Sequence, residues 1–155
     1  MTLSRRSVLG AGLCALTATG AMPTIARAHA QAGLSSKGKL TITKYYAAWE
    51  KKDWSPFERL LTEDFTFTSA AGDDHMNKSD FKTKCWGPQS DFIDHFDLKH
   101  VYGSGHEALV MYDCRTKNGK TFRNVEYLGL RGDQVQTIEC YFGAQSSFPS
   151  AVSKG

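Results

Sequence analysis

The chain has 155 residues, of which 41% are hydrophobic and 23% are charged, a composition typical of one compact globular domain that excludes a disordered chain. Its formal net charge of +3 arises before residue 31, because all 16 acidic residues and 16 of the 19 basic residues come later. A balanced charge argues against a nucleic-acid-binding protein and against a polybasic membrane anchor.

Residues 1–30 are predicted to be an export signal and not part of the fold. The run SRRSVL at residues 4–9 resembles the twin-arginine signal, and a weakly apolar stretch follows it up to Met22. The small residues around Ala28 and Ala30 favour cleavage after one of the two. We therefore expect a periplasmic or secreted protein with no stable membrane anchor after cleavage. An uncleaved anchor and a disordered tail are the alternatives.

No metal or cofactor site is predicted. Cys85, Cys114 and Cys140 would remain after cleavage, and an odd number without metal-motif spacing indicates buried, inert thiols. His95 and His100 are five residues apart on a predicted strand, so they would point to opposite faces and would not share a metal. Phosphate-loop and dinucleotide motifs are absent from the sequence.

The predicted domain spans residues 38–145, between a linker at 31–37 and a flexible tail at 146–155. The apolar residues at helical spacing predict a first helix over about 38–52, and they are Ile42, Tyr45, Tyr46 and Trp49. Ser55 as the cap and Pro56 at the first helical position predict the start of a short second helix that ends near Leu61-Thr62.

A strand rich in Phe and Thr is predicted at residues 64–68, followed by a loop at 70–76. Asn77 is expected to cap a third helix, and Gly87-Pro88 is expected to end it. The rest of the chain predicts four strands, at 92–102, 107–116, 121–130 and 134–142. Helices segregated from a run of strands predict an α+β fold, with a curved, mostly antiparallel sheet wrapped around about three N-terminal helices.

Two glycine turns suggest which residues lie opposite each other. If Asn118-Gly119 and Gly132-Asp133 are both two-residue loops, Glu126 lies opposite Glu139. One face of the sheet would then be polar, and the other would be apolar. The polar face comprises Asp113, Asn124, Glu126, Glu139 and Tyr141. The apolar face comprises Val110, Tyr112, Cys114, Arg123, Val125, Tyr127, Ile138, Cys140 and Phe142.

The predicted pair of glutamates is the main candidate for chemistry. In a dry site one of two facing carboxyl groups holds a proton and the other can act as a base. Glu126, Glu139 and Tyr141 are therefore the candidate catalytic residues. The alternative is a solvated face or a dimer interface. The candidate substrate-binding residues are Asp113, Asn124, Tyr112, Tyr127, Trp49, Phe67 and Trp86.

A second, weaker candidate is the run Asp73-Asp74-His75 in the loop after the first strand. It has the residue types of an acid/base group or a metal ligand. Turn chemistry explains the same residues equally well.

Three segments carry a resemblance to a known family. They are YAAW with KDW at residues 46–54, LLTEDFTF at 60–67, and QVQTIECYFG at 134–143. Together they resemble the SnoaL-like group of the nuclear transport factor 2-like superfamily, which includes ketosteroid isomerases, limonene-type epoxide hydrolases and polyketide cyclases. The resemblance implies a cone-shaped α+β barrel with an apolar cavity, commonly in a homodimer.

The resemblance does not carry over the known catalytic residues. The position of the isomerase base holds Ser69, and the final acid of the epoxide hydrolases falls on Cys140. The oxyanion acid of the isomerases would fall near Glu126 or Tyr127. Two functions therefore stay open: an exported domain that binds a small hydrophobic molecule, or an acid/base isomerase, cyclase or hydrolase that uses a Glu pair.

Overall fold

The computed structural model of the protein describes residues 33–143. The predicted export signal at 1–30 and the predicted tail at 146–155 lie outside the described residues. Within the described part, the helices are α1 (Ser36–Lys51), α2 (Trp54–Arg59), α3 (Lys78–Phe81) and α4 (Gly87–Phe92), with a π-helical turn at Lys82–Trp86. The strands are β1 (Leu61–Ser69), β2 (Met76–Asn77), β3 (Ile93–Ser104), β4 (Glu107–Thr116), β5 (Thr121–Arg131) and β6 (Gln134–Phe142).

Helix α1 confirms the predicted first helix and begins two residues earlier. The side chain of Ser35 caps it by accepting a 3.0 Å hydrogen bond from the Gly38 amide. It ends at Lys51 and is capped by Lys52, whose φ of 57° is left-handed. Its buried residues recur at helical spacing and form one face against the sheet. They include Ile42, Tyr45, Tyr46 and Trp49. None of the helices within residues 33–143 is long and apolar enough to cross a membrane.

The second and third helices differ from prediction in their ends. Helix α2 is capped by Asp53, whose carboxylate accepts from the Ser55 amide at 3.1 Å, so the prediction of Ser55 as the cap is wrong. Asn77 does cap α3, through the Asp80 amide at 2.9 Å.

The predicted stop at Gly87-Pro88 is wrong, because the chain stays helical to Phe92. A π-helical turn comes just before the proline, and in it the amide of Gly87 donates to the carbonyl of Lys82, five residues earlier. Pro88 then falls in the first turn of α4, where its missing N–H costs no hydrogen bond.

The six strands form one curved sheet in the order β2-β1-β6-β5-β4-β3. Strands β1 and β6 are parallel and every other neighbouring pair is antiparallel. The α+β prediction and the meander of four strands are confirmed. The sheet is not closed, because β2 and β3 are its two edges.

The hairpin between β4 and β5 has a three-residue loop, and this shifts the predicted register by one. The amide of Gly119 donates to Thr116 O at 2.9 Å, and the amide of Thr116 donates to Lys120 O at 2.8 Å. Gly119 has a φ of 80°, the left-handed conformation that closes such loops. Asp113 therefore lies opposite Arg123, and the prediction that it lies opposite Asn124 is wrong.

The hairpin between β5 and β6 starts in the predicted register and then changes it. Arg131 lies opposite Gln134, as predicted. Gln136 is then an extra residue, because Leu130 pairs with Val135 whereas Gly129 pairs with Thr137. Beyond this bulge, Glu126 lies opposite Cys140 instead of Glu139, so the predicted glutamate pair is wrong.

Because of these two register shifts, the face of β5 that lies on the inner side of the sheet is the opposite of the predicted one. The predicted polar face does not exist as a unit, because Asn124 and Glu126 are buried with Tyr112 and Cys140 on the inner face. The predictions for β4 and β6 hold at Val110, Tyr112, Cys114, Ile138 and Cys140, which are all buried. The predictions for β5 fail, since Arg123, Val125 and Tyr127 alternate with the buried residues Phe122, Asn124, Glu126 and Leu128.

An aromatic cluster fills the space between the helices and the sheet. Trp86 lies 4.3 Å from Trp49 and 4.2 Å from Phe57, measured between ring centroids. Phe81 stacks on Phe57 at 6.1 Å. Burial of these rings supplies much of the hydrophobic stabilisation and fixes α1 and α2 against the π-helical turn.

Candidate functional site

Glu126 is the polar centre of the buried interior. It lies in the middle of β5 and is only 7% exposed. Tyr46 on α1 donates a hydrogen bond to its Oε2 at 2.7 Å, and Tyr112 on β4 donates to its Oε1 at 3.0 Å. One helix and two strands thus hold a single carboxyl group, one phenol to each oxygen.

Asn124 extends this polar group along β5. Its Nδ2 lies 3.4 Å from the Tyr112 hydroxyl and 3.9 Å from the Cys140 sulfur. Its Oδ1 is buried and has no hydrogen-bond partner within the described residues. A buried amide oxygen without a donor is uncommon in proteins and calls for a ligand or a water molecule.

A small cavity adjoins Glu126 and Asn124. Its free volume is about 20 Å³, which is room for about one water molecule. Aromatic rings form most of its wall, and no Lys, Arg or His within residues 33–143 contributes to it. The lining residues are Tyr45, Trp49, Phe67, Phe81, Gln89, Ile93, Phe96, Tyr112, Phe122, Asn124, Glu126, Cys140 and Phe142.

The surroundings of Glu126 shift the acidity of several groups. Burial raises the pKa of Glu126 above its ordinary value, and the hydrogen bonds from Tyr46 and Tyr112 counter part of that rise. Burial, reinforced by the nearby Glu126 carboxylate, raises the pKa values of Tyr46, Tyr112 and Cys140 well above their usual range. The two phenols are therefore hydrogen-bond donors at neutral pH.

Three aromatic rings close one side of the carboxyl group. The centroids of Tyr46, Phe96 and Tyr112 lie between 5.2 and 5.5 Å from one another in edge-to-face packing. This contact orients both phenols towards Glu126 and excludes water from that side.

Five of the predicted site residues come together at the cavity: Trp49, Phe67, Tyr112, Asn124 and Glu126. Trp86, also predicted, is buried behind the lining, against Trp49.

The other four predicted residues lie away from the cavity, on the outer side of the sheet. Tyr141 donates to Glu139 at 2.6 Å, and Tyr127 donates to Glu107 at 3.1 Å. Asp113 forms a salt bridge with Arg123 at 2.6 Å. The register shifts described above explain this separation of Glu139, Tyr141, Asp113 and Tyr127 from Glu126.

The loop candidate Asp73-Asp74-His75 makes local contacts. Ser69 donates to Asp73 at 2.6 Å, and the exposed His75 ring lies 2.5 Å from Asp74. Nowhere in residues 33–143 do three or more His, Cys, Asp or Glu side chains cluster closely enough to hold a metal ion. These contacts are those of turn chemistry, the alternative stated from the sequence.

Sequence reasoning missed Tyr46, Phe96 and Phe122 as residues of the site. Tyr46 was placed correctly on the apolar face of the first helix. The hydroxyl on that face was the available signal, because a buried tyrosine needs a partner for its O–H group.

The site combines one carboxyl group, two phenol donors and one free amide oxygen in an aromatic enclosure. Such an arrangement can anchor the polar end of a small molecule while the rings contact its apolar part. It can also hold or move one proton at Glu126. Acid/base chemistry with a pair of glutamates is not available here, because Glu139 lies on the outer side of the sheet.

Solved structures with the same fold are known from several bacteria. A protein from Kribbella flavida matches with 20% identity and a TM-score of 0.65, covering 77% of this chain and 96% of its own. A protein of unknown function, described as NTF2-like, from Cytophaga hutchinsonii has 19% identity, a TM-score of 0.57, and coverage of 68% and 88%. A ketosteroid isomerase-like protein from Catenulispora acidiphila, in complex with trimethylamine, has 17% identity, a TM-score of 0.57, and coverage of 72% and 92%.

At this level of identity the structural matches establish the fold alone. No curated protein matches the chain. The SnoaL-like domain model matches residues 42–138, a range that contains Tyr46, the strand bearing Glu126 and most of the cavity wall. The chain therefore belongs to the SnoaL-like domain family, within the NTF2-like and ketosteroid isomerase-like fold.

Proposed function

We propose that this protein is an exported SnoaL-like domain that binds a small, mainly apolar molecule in the cavity beside Glu126. The observation that carries the proposal is a buried carboxyl group, held by two phenols, at the wall of an aromatic cavity. Structural carboxylates are rarely placed at a dry cavity without a cation, because burial disfavours their charge. Binding of a ligand in the cavity would explain why a carboxyl group lies there.

The cavity must widen to receive anything larger than a water molecule. The π-helical turn Lys82–Trp86 supports the proposal, because such turns occur frequently at functional sites. Gln89 on α4 follows it in the chain and is half-buried at the cavity wall. Movement of α4 away from β3 would open the cavity without unfolding the sheet.

Native mass spectrometry of protein purified from the cell envelope tests this proposal. We expect a retained small molecule that is released on denaturation. Cys140→Met would fill the cavity and should abolish retention, whereas Cys114→Met adds the same volume at a buried position outside the lining and should preserve it. Equal retention by the two variants, or an empty protein that binds no member of a small-molecule panel, would contradict the proposal.

An acid/base isomerase, cyclase or hydrolase is the second candidate. It is favoured by one observation: burial raises the pKa of Glu126, as a general acid or base requires near neutral pH. Such an enzyme would depend on Glu126 alone. Turnover lost in Glu126→Gln and kept in Glu139→Gln would distinguish it from a binding protein.

Export by the twin-arginine route is part of the proposal and rests on residues 4–9. Replacement of Arg5 and Arg6 by lysine should retain the unprocessed chain in the cytoplasm. Cell fractionation measures this, and unchanged export of the variant would refute the route.

Association into a homodimer is the final part of the proposal. Tyr102, Leu109 and Tyr127 lie in one row across β3, β4 and β5 on the outer side of the sheet, and the first two are 64% and 45% exposed. An exposed row of this kind indicates an association surface. Leu109→Glu should convert a dimer to a monomer in analytical ultracentrifugation, and a monomeric parent protein would refute the dimer.

A further inference from the structure

The two phenol donors that reach Glu126 are already used. Tyr46 donates its single O–H to Glu126 Oε2, and Tyr112 donates its own to Oε1. The Asn124 Nδ2 faces Tyr112 and Cys140. A ligand that reaches Glu126 and Asn124 therefore finds both phenols engaged.

The hydrogen-bond acceptors at the same wall still have free lone-pair positions. Each Glu126 oxygen receives one phenol, and an ionised carboxylate has about four lone-pair positions. Asn124 Oδ1 is buried with no donor among the described residues. Two neighbouring residues on β5 thus present acceptors to the cavity, and the natural complement is a group rich in N–H donors.

The charge of the Glu126 carboxylate also favours a ligand group rich in N–H donors. Glu126 forms no salt bridge with any Lys, Arg or His of residues 33–143, whereas surface carboxylates such as Asp64 and Asp113 do. Both phenols donate to Glu126, a pattern that matches an ionised carboxylate. A buried carboxylate without a cation is destabilising until a cation reaches it.

We propose that the molecule received in the cavity carries a protonated amine, whose N–H groups donate to Glu126 and to Asn124 Oδ1. This inference rests on the proposed function and narrows its ligand to alkylammonium compounds. A carbonyl compound, which needs donors, fits this wall poorly because Tyr46 and Tyr112 are engaged.

The volume of the cavity and its aromatic wall are compatible with an alkylammonium ligand. The free volume of about 20 Å³ suits a head group about the size of one water molecule, and aromatic rings attract cations. Gln89 and Phe142 are half-buried while the other lining residues are buried. The alkyl part would extend towards these two residues, where the cavity approaches solvent.

Isothermal titration calorimetry of the full chain with three ligands of equal length tests the inference. The ligands are butylammonium, 1-butanol and butyrate, which differ in charge at the head group. We expect butylammonium to bind at least about tenfold more tightly than 1-butanol, since only the ammonium adds a positive charge that attracts the carboxylate of Glu126. Butyrate should not bind detectably.

Two isosteric variants locate the interaction. Glu126→Gln should lose the preference for butylammonium over 1-butanol. Glu139→Gln makes the same change on the outer side of the sheet and should keep the preference. Circular dichroism checks that each variant is folded, and the selectivity of the parent protein is informative without either variant.

The outcomes separate this inference from the proposed function. Binding of 1-butanol or butyrate as tight as that of butylammonium overturns the amine and leaves a ligand-binding cavity. An equal loss in Glu126→Gln and Glu139→Gln also overturns it, because the cation then binds at the surface. Absence of binding by all three ligands overturns both proposals.

Discussion

The hydroxyl of Tyr46 lies 2.7 Å from Oε2 of Glu126, although 80 positions separate the two residues in the chain. The bond joins the first helix to the central part of the antiparallel meander. It is buried, and burial strengthens the dependence of the carboxyl group on its donor. The site and the packing of α1 on the sheet therefore share one contact.

Removal of that donor should destabilise the protein. Tyr46→Phe leaves Glu126 Oε2 buried without its phenol, a loss of about 1–3 kcal/mol in the free energy of unfolding. Urea denaturation at neutral pH measures it. Tyr141→Phe is the control, since its bond to Glu139 is exposed, and it should change stability by less than about 0.5 kcal/mol. Equal effects of the two variants would contradict a special role for Tyr46.

The buried carboxyl group should make stability depend on pH. Glu126 ionises near 4.5 in the unfolded chain, and burial raises its pKa in the folded protein. The folded state therefore binds the proton more tightly, and its stability falls as pH rises from the unfolded value through the folded one.

Comparison with Glu126→Gln isolates this effect. The variant lacks the titrating group, so the parent protein should lose stability relative to it as pH rises above 4.5. Urea denaturation at a series of pH values gives the difference. Parallel curves for the two proteins would mean that the carboxyl group is not perturbed.

The ion pair between Asp64 on β1 and Arg131 on β5 offers a test on the surface. The Arg131 guanidinium, whose nitrogens lie 3.0 and 2.6 Å from the two carboxylate oxygens, lowers the pKa of Asp64 to about 2. In Arg131→Gln this pKa should rise towards the ordinary value of 3.8, as followed by NMR titration of the carboxyl carbon.

The sign of the linkage for Asp64 is opposite to that for Glu126. Its contribution to stability is present above 3.8 and is lost as pH falls towards about 2. Arg115→Gln is the matched control, because Arg115 pairs with Asp94 on β3 and should leave Asp64 unaffected. A shift of Asp64 in that control would indicate a general field effect.

The aromatic cluster should dominate the stability of the helical layer. Phe57 is fully buried and contacts Tyr45, Trp49 and Trp86. Phe57→Ala should cost about 3–5 kcal/mol by leaving a cavity among these rings. Leu40→Ala on the exposed side of α1, where Leu40 is 53% exposed, should cost little. Thermal denaturation of both variants checks this, and a small effect of Phe57→Ala would show that the rings collapse into the space.

Much of the fold could be predicted from local patterns. The bounds of β4 and β6 were predicted to the residue, because alternating side chains and glycine turns mark both ends. Trp49 and Phe67, two of the candidate substrate-binding residues, line the cavity. Such signals need no knowledge of distant parts of the chain.

The pairing of strands could not be predicted in the same way. The loop closed by Gly119 has three residues, and Gln136 is an extra residue in β6. Neither has a local signature that distinguishes it from a tight two-residue turn or a regular strand. Because side chains alternate along a strand, each one-residue error moved a whole strand face.

The extra residue at Gln136 has a consequence for how such domains change. Without it, Glu126 would face Glu139, and two like charges would crowd the same dry interior. A one-residue insertion thus determines how many carboxyl side chains lie in the concave interior, without substitution of any Asp or Glu. In this scaffold, a gain or loss of length within a hairpin is a direct route from one chemistry to another.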